Sequence, residues 1–309
     1  MIEVSNLTKR YGRTTAVHEL SFTVRPGHVT GFLGPNGAGK STTLRMLLGL
    51  HAPTSGTATV DGHDCRTLRR ALRRVGALLD AGDVHGGRTA RDHLRFLARS
   101  NAIPTGRVAE VLRMVGLGGA ADRRIGGFSL GMRQRLGIAA ALLGDPPVLL
   151  FDEPLNGLDP EGVLFVRGLF KSLAAQGRTV FVSSHLMAEM EHTADRLVVV
   201  GRGRLLADET VEEFATRGAP RRVDVRSADP AALAAALTAE GVRLTQAPDG
   251  LLTVESVPAS RVAEIAAAHG VLLHELTTRT GSLERAFMEL TGASVEYAAG
   301  ERASAGERA

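Results

Sequence analysis

The stretch GPNGAGKST, residues 34 to 42, places three glycines, a lysine and two hydroxyl side chains directly after the apolar run VTGFL. Glycines let the backbone curl so that successive N–H groups converge on phosphate oxygens. The spacing fits G-x-x-x-x-G-K-[ST] between a strand pattern and a helix pattern. In that motif the lysine bridges two phosphates and the next hydroxyl binds Mg²⁺. The expected phosphate-binding residues are Gly34, Asn36, Gly37, Gly39, Lys40, Ser41 and Thr42, with Ser41 also on the metal. A glycine-rich turn that only caps a helix is the alternative.

A second group of chemical interest is the pair of acids that ends the apolar run PVLLFDE. A carboxylate at the end of a strand beside a phosphate loop is well placed to hold Mg²⁺, and a second one can orient the attacking water. We therefore expect Asp152 to bind the metal and Glu153 to act on the water. Two acids at a strand end can equally be ordinary surface residues, and only the upstream phosphate loop favours the catalytic interpretation.

The bulk composition sets wide limits on the kind of protein. With 309 residues, 44% of them hydrophobic, the chain has room for two globular domains. The net charge of +4 and a pI near 9.8 suit phosphate, nucleic acid or anionic lipid and discriminate poorly among them. One cysteine, Cys65, excludes an internal disulfide framework. The sequence shows no secretory signal and no apolar run long enough to span a membrane, so we expect neither.

The order of apolar runs and helical patterns predicts an α/β fold in a first domain, residues 1–217. Buried strands are expected at 29–33, 148–151, 179–184 and 196–203, a helical lobe at about 82–143, and a linker at 213–222. Residues 218–292 show a β-α-β-β-α-β order, which predicts a small α+β domain of ferredoxin-like type. An amphipathic helix is expected to follow, with a disordered tail at 293–309. The run RTLRRALRR (66–74) spaces its arginines like a solvated helical face, although contact with anionic lipid or acidic loops stays open.

With these elements in order, the chain resembles the ATP-binding subunit of ATP-binding-cassette (ABC) transporters over roughly residues 1 to 215. It looks most like the drug and antibiotic efflux branch, which includes daunorubicin- and bacitracin-resistance ATPases. The resemblance implies a P-loop cassette, a RecA-like core plus a helical lobe, with ATP and Mg²⁺ as cofactors. It also implies that Tyr11 stacks on adenine, although an edge-strand aromatic is the simpler role, and that His185 in VSSH contacts the γ-phosphate as a second catalytic residue, although such a histidine is often only structural.

Two further motifs carry the resemblance, and two departures from the family pattern accompany them. FSLGM (128–132) matches the family signature, which implies that Ser129 and Gly131 grip a γ-phosphate; Ser129 also suits a plain helix cap. NGLD (156–159) matches the loop that carries Asp159 toward a partner cassette. The signature departs from the usual L-S-G-G-Q at Leu130 and Met132. Where the family usually has a metal-facing glutamine, the chain has Asp80, which is either a metal contact or a turn acid.

The resemblance also implies partners. A second copy would bind head to tail over two ATP molecules, and separate integral membrane permease subunits would use the energy for efflux of a drug-like or lipid-like compound. That places the protein at the cytoplasmic face of the membrane as a peripheral subunit of an antibiotic-resistance exporter. The alternative is a non-transport ABC ATPase that acts on nucleic acid or the ribosome, although nucleic acid is not the expected partner. The C-terminal domain is an additional candidate for regulation or dimerisation.

Overall fold

The computed structural model describes residues 1–217, 222–255, 257–279 and 283–291, and it divides into two compact units, Met1–Thr210 and the residues from Val211 onward. A six-stranded sheet forms the centre of the first unit, in the order β5-β6-β7-β3-β8-β9. Its strands are β3 (Val29–Leu33), β5 (Val75–Leu78), β6 (Val148–Asp152), β7 (Thr179–Ser184), β8 (Arg196–Gly201) and β9 (Arg204–Thr210). All neighbours are parallel except β8 and β9, which form an antiparallel pair.

The central strands are continuous apolar runs because both faces of the sheet are covered. All five residues of β3 and all six of β7 are buried, as predicted from their sequences. The flanking helices of this sheet are α1 (Lys40–Leu47), α5 (Pro160–Ala175) and α6 (Met187–Glu191). Phe151 of β6 stacks on Phe170 of α5 with ring centroids 4.6 Å apart. The expected α/β core is therefore present, and the carboxyl ends of β3, β6 and β7 share one edge of the sheet.

A second, three-stranded antiparallel sheet was not predicted. It has the order β2-β1-β4 and comprises β1 (Ile2–Tyr11), β2 (Thr14–Val24) and β4 (Ser55–Val60). Its apolar face packs on the core of the unit, where Phe22 meets Phe32 of β3 and Phe181 of β7 at centroid distances of 5.7 Å each. This packing fixes the β1–β2 hairpin next to the loop that follows β3.

The helical lobe lies where the loss of strand signals predicts it. Between β5 and β6 the chain forms α2 (Ala90–Ser100), α3 (Gly106–Met114) and α4 (Leu130–Leu142), joined by short 3-10 turns. Thr89 caps α2 by accepting a hydrogen bond from the Asp92 N–H at 3.0 Å. The three helices contact one another, and each buries apolar residues almost fully: Leu94 in α2, Val111 in α3, and Leu136 and Ile138 in α4.

The second unit has the β-α-β-β-α-β order that the sequence predicts, preceded by a helix α7 (Val211–Arg217). Its elements are β10 (Arg222–Ser227), α8 (Pro230–Ala239), β11 (Leu244–Gln246), β12 (Leu252–Glu255), α9 (Ala259–Ala268) and β13 (Leu273–Arg279). The antiparallel sheet has the order β11-β12-β10-β13, so the last strand lies beside the first. A further helix, α10, covers residues 283–291 and buries Leu283 and Ala286.

Two details of the sequence prediction are wrong. The arginine run 66–74 is not a helical face: it forms two 3-10 turns, Cys65–Thr67 and Ala71–Arg73, because Arg70 between them has a left-handed backbone with φ +57°. The predicted linker 213–222 is partly helical, since α7 continues to Arg217, and the first unit ends at Thr210 rather than at 217. The predicted tail 293–309 lies outside the described residues. Within those residues, no helix combines the length and the apolar character that crossing a membrane requires.

Candidate nucleotide-binding site

The loop between β3 and α1 has the backbone that a phosphate site needs. Gly37 and Gly39 have left-handed φ angles of +82° and +98°. A Cβ on Gly34 would lie 2.4 Å from the Val200 carbonyl oxygen, and one on Gly39 would lie 2.5 Å from the Ala16 carbonyl oxygen. Only glycine fits these two positions without a shift of the backbone. The loop ends at the N-terminus of α1, whose exposed N–H groups favour an anion.

Lys40, the first residue of α1, closes over this loop. Its Nζ donates a 2.7 Å hydrogen bond to the Gly34 carbonyl and lies 3.9 Å from Oε1 of Glu153. Burial lowers the pKa of Lys40 below its ordinary value of 10.5, and the charges of Glu153 and Asp152 oppose that shift. Only 7% of Lys40 is exposed, so little water screens its charge, and its attraction for a phosphate in this site is stronger than it would be at the surface.

Glu153 stands at the end of β6 in a constrained backbone conformation, with φ +48°. Two polar side chains hold this backbone: Ser183 Oγ accepts a 3.0 Å hydrogen bond from the Glu153 N–H, and Gln134 Nε2 donates a 2.9 Å bond to the Glu153 carbonyl. The same Ser183 hydroxyl donates to Asp152. Left-handed backbone at a non-glycine residue persists only where its surroundings enforce it, and here Ser183 and Gln134 provide that support.

The Glu153 carboxylate lies between two basic groups. One oxygen is 3.9 Å from Lys40 Nζ, and the other is 2.9 Å from Nδ1 of His185. Glu153 is 23% exposed and His185 36%, so water can reach both side chains. A carboxylate that accepts from a histidine beside a phosphate-binding lysine can orient a water for attack and receive its proton. The structure thus brings the two residues expected to be catalytic into contact.

A cavity of about 270 Å³ opens at this place. Its walls are Ala16, residues 35–42 and Glu153. Glycine amides, the Lys40 ammonium and the hydroxyls of Ser41 and Thr42 form a donor set that fits a chain of phosphates. Among the described residues no cluster of three histidine, cysteine, aspartate or glutamate side chains could hold a metal ion. A Mg²⁺ bound by one or two protein oxygens together with phosphate oxygens does not require such a cluster.

The signature residues line a different cavity, of about 410 Å³. Ser129 is the N-cap of α4 and accepts from the Met132 N–H at 3.2 Å, so its role as a helix cap is real. Asp159 caps α5 in the same way, accepting from Gly162 N–H at 2.9 Å. The walls of this cavity are Gly116, Leu117, Ala120, Ser129, Gly131, Met132, Arg135, Gly157, Leu158 and Asp159. One chain therefore presents its phosphate loop and its signature helix on two separate surfaces.

The departure from the family signature at Leu130 has a matching partner. A Cβ built on Gly157 would lie 2.2 Å from Leu130 Cδ2, which means that the leucine side chain fills the space beside that glycine. Gly157 also has φ +75°. Leu130 in the signature therefore packs on the loop that carries Asp159, and the two motifs contact each other within one chain.

Tyr11 and Asp80 are predicted site residues that do not line either cavity. Tyr11, at the end of β1, is 46% exposed and is not among the residues that line either cavity. Asp80 follows β5 and accepts a 2.6 Å hydrogen bond from the Gly82 N–H, the geometry of a turn acid. Asp80 also lines neither cavity, so its expected contact with the metal stays a prediction.

Sequence reasoning missed Ser183 and Gln134, which hold the Glu153 backbone. Ser183 is fully buried at the end of β7, and Gln134 is 5% exposed within α4. A polar residue buried without function is uncommon, so the signal was the position of Ser183 in the apolar strand TVFVSS. Gln134 gave a weaker signal, because a glutamine in a helix is ordinary.

Comparison with known proteins agrees with this geometry. Residues 17–156 match the family described as ABC transporter, and residues 221–284 match a domain family described as being of unknown function. The chain is 43% identical over 211 residues to the bacitracin transport ATP-binding protein BcrA of Bacillus licheniformis, which covers 67% of this chain and 69% of that protein. It is 35% identical over 311 residues to the Nod factor export ATP-binding protein I of Burkholderia orbicola (strain AU 1054), which covers 96% of this chain and 98% of that protein.

Among solved structures, the dimeric post-hydrolysis state of an ATP-binding cassette bound to ADP and Pi superposes with a TM-score of 0.60 at 25% identity. That similarity covers 68% of this chain and 99% of the other. The phosphate loop with its buried lysine, the carboxylate that faces it and the near full-length relatives agree, and this chain belongs to the ABC transporter ATP-binding proteins.

Proposed function

We propose that two copies of this chain bind head to tail over two Mg²⁺-ATP molecules and hydrolyse them to drive membrane permease subunits. The observation that carries the proposal is the separation of the phosphate-loop cavity from the signature cavity. Lys40 and Glu153 face the first cavity, whereas Ser129 and Asp159 face the second. A head-to-tail pair unites one copy's phosphate loop with the other's signature helix, which supplies the N-terminal N–H groups that one site lacks.

Within such a site the residues of this chain have distinct tasks. Lys40 and the loop amides hold the phosphates, and Ser41 with Asp152 supplies oxygens to the Mg²⁺, which neutralises phosphate charge. Glu153 orients the attacking water, and His185 holds the Glu153 carboxylate while it faces the terminal phosphate. Asp80 is a further metal contact in this proposal, provided that it leaves its bond to Gly82. Tyr11 supports the adenine.

The transport role rests on the relatives. One is named for bacitracin transport and another for Nod factor export, and both names describe ATP-binding proteins. We infer that this chain works as the peripheral ATP-binding subunit of an exporter at the cytoplasmic face of the membrane. Its cargo is a drug-like or lipid-like compound, which permits a role in antibiotic resistance. The ribosomal or nucleic-acid alternative lacks support, since both named relatives are transport or export proteins.

The test is Glu153→Gln, which removes the anionic acceptor but keeps the shape of the side chain. We expect the variant to bind Mg²⁺-ATP, to form an ATP-dependent dimer in size-exclusion chromatography with light scattering, and to lose hydrolysis. The matched control is Glu161→Gln, an exposed acid in the first turn of α5, which should behave like the original protein. Normal hydrolysis by Glu153→Gln would show that the Glu153 carboxylate is not required for the reaction. A monomer at saturating ATP would reject the dimer.

Salt-sensitive RNA binding by a protein that does not co-purify with membranes would favour the alternative function. Co-purification with a membrane protein, lost on washing with high salt, would support the exporter subunit instead.

A further inference from the structure

The aromatic ring of Tyr11 is held by two neighbours that the nucleotide chemistry does not use. Tyr11 Oη and His51 Nδ1 lie 2.8 Å apart and form a hydrogen bond, with the two rings perpendicular at an interplanar angle of 78°. On one face of the tyrosine, Lys9 Nζ stands 5.1 Å from the ring centroid. Lys9 is fixed in turn by a 2.6 Å hydrogen bond to the Ala52 carbonyl.

These contacts join the end of β1 to the segment after α1. The His51 N–H donates to the Arg45 carbonyl in α1, so His51 sits at the far end of the helix that begins at Lys40. Two hydrogen bonds reinforce the junction: the Arg10 N–H donates to the Thr54 hydroxyl Oγ1 at 3.0 Å, and the Thr54 N–H donates to the Thr8 carbonyl at 2.8 Å. The position of the Tyr11 ring is therefore fixed, through His51, relative to the same helix that begins with the phosphate-binding lysine.

The hairpin places this ring near the phosphate cavity. Tyr11 pairs with Thr14 in the β1–β2 register, and Ala16, two residues further along β2, lines that cavity. Because Lys9 covers one face and His51 meets the hydroxyl, the exposed 46% of Tyr11 is the surface on which a base can stack. The Lys9 ammonium on the covered face also orients the ring by cation–π attraction.

We propose that His51 is a positioning residue for the base of the bound nucleotide, acting through the Tyr11 hydroxyl. This inference rests on the proposed nucleotide site and adds a residue that holds the base rather than the phosphates. In this proposal His51 acts on the Tyr11 ring and not on the nucleotide. The His51 contact fixes the Tyr11 ring before the nucleotide binds, so binding of the base does not have to order that ring at a cost in free energy.

The experiment compares a ligand with a base and a ligand without one. Binding of the non-hydrolysable adenosine 5′-(β,γ-imido)triphosphate and of inorganic triphosphate, each with Mg²⁺, is measured by calorimetry. His51→Ala should weaken the adenosine ligand about five-fold, the size of one net hydrogen bond, and leave inorganic triphosphate within about two-fold. Tyr11→Phe should show the same loss, and the double variant should be no weaker than either single one. His63→Ala, an exposed histidine of the same unit, is the matched control.

Three results would overturn the proposal. Equal weakening of both ligands by His51→Ala would show a role in the fold alone. Unchanged binding of the adenosine ligand would show that the contact is not used. Additive losses in the double variant would show that the two residues act independently. Lys40→Ala separates this inference from the proposed function: it should abolish binding of both ligands, and if it does not, the nucleotide site itself is wrong.

Discussion

Replacing Ser183 by alanine isolates the support of the Glu153 backbone from the chemistry of its carboxylate. The hydroxyl accepts from the Glu153 N–H at 3.0 Å and donates to Asp152, and the residue is fully buried. Loss of a net hydrogen bond costs about 1 kcal/mol, and a buried group left unsatisfied costs about 1–3 kcal/mol. Two bonds are lost here, one of them to a carboxylate. We expect the free energy of unfolding of the first unit to fall by about 2–4 kcal/mol.

The effect on hydrolysis should exceed the effect on nucleotide binding. With φ at +48°, Glu153 relaxes toward an ordinary backbone conformation when its N–H partner is gone. A displacement near 1 Å of a reacting group lowers rates about a hundred-fold, so we expect kcat for ATP to fall about ten- to a hundred-fold. Lys40 and the phosphate loop are untouched, but Asp152, the proposed Mg²⁺ contact, also loses its bond from Ser183. The dissociation constant of the non-hydrolysable nucleotide should therefore rise by no more than about five-fold, the size of one net hydrogen bond.

Urea denaturation followed by circular dichroism gives the stability, and steady-state phosphate release gives kcat. The matched control is Thr193→Val, which removes a fully buried hydroxyl that donates to the Glu189 carbonyl at 2.6 Å and keeps the side-chain shape. It should lose about 1 kcal/mol and retain kcat. If Ser183→Ala loses stability while keeping the kcat of the original protein, the hydroxyl does not position Glu153 for hydrolysis.

The remaining predictions concern packing and charge. Gly157→Ala should lower the free energy of unfolding by about 2–4 kcal/mol, because the new methyl meets Leu130 and the φ of +75° disfavours a Cβ. Adding Leu130→Ala should return the packing part and leave about 1 kcal/mol from the backbone; equal urea midpoints for single and double variants would contradict this contact. For Lys40, the lowered pKa means that the unfolded chain binds more protons in the window below 10.5. The free energy of unfolding of the original protein, minus that of Lys40→Met, should therefore increase as pH rises through that window. A difference that does not change with pH would refute the burial argument.

The parts of the fold that local pattern controls were predictable. VTGFL and TVFVSS form β3 and β7 at the predicted residues, because strands covered on both faces need continuous apolar runs. The meeting of Lys40 with Glu153 also follows from sequence, since the loop before Lys40 begins at the carboxyl end of β3 and Glu153 follows the carboxyl end of the parallel strand β6. The order β-α-β-β-α-β in the second unit was also predictable from local signals, because Asp229 and Gly241 mark the two ends of α8.

The parts that depend on distant residues were not predictable. Ser183 reaches Glu153 across 30 positions, Gln134 across 19, and His51 meets Tyr11 across 40. No local spacing records such pairs. The arginine run also meets distant residues: Arg70 has a left-handed backbone that ends any helix there, and the Leu72 carbonyl oxygen packs so closely on Gly144, which follows α4, that a Cβ on that glycine would lie 1.8 Å from it.

The phosphate loop and the signature helix of one chain line two separate cavities. In the proposed dimer this separation determines how two defective alleles behave when they are expressed together. A copy with a substituted Lys40 inactivates the pocket to which it contributes the phosphate loop. A copy with a substituted Ser129 inactivates the pocket to which it contributes the signature helix. When these two defective alleles are expressed together, the mixed pair concentrates both lesions in one pocket and leaves the other fully intact. Each allele alone should be null for turnover, yet the pair should complement, whereas two alleles damaged in the same motif should not.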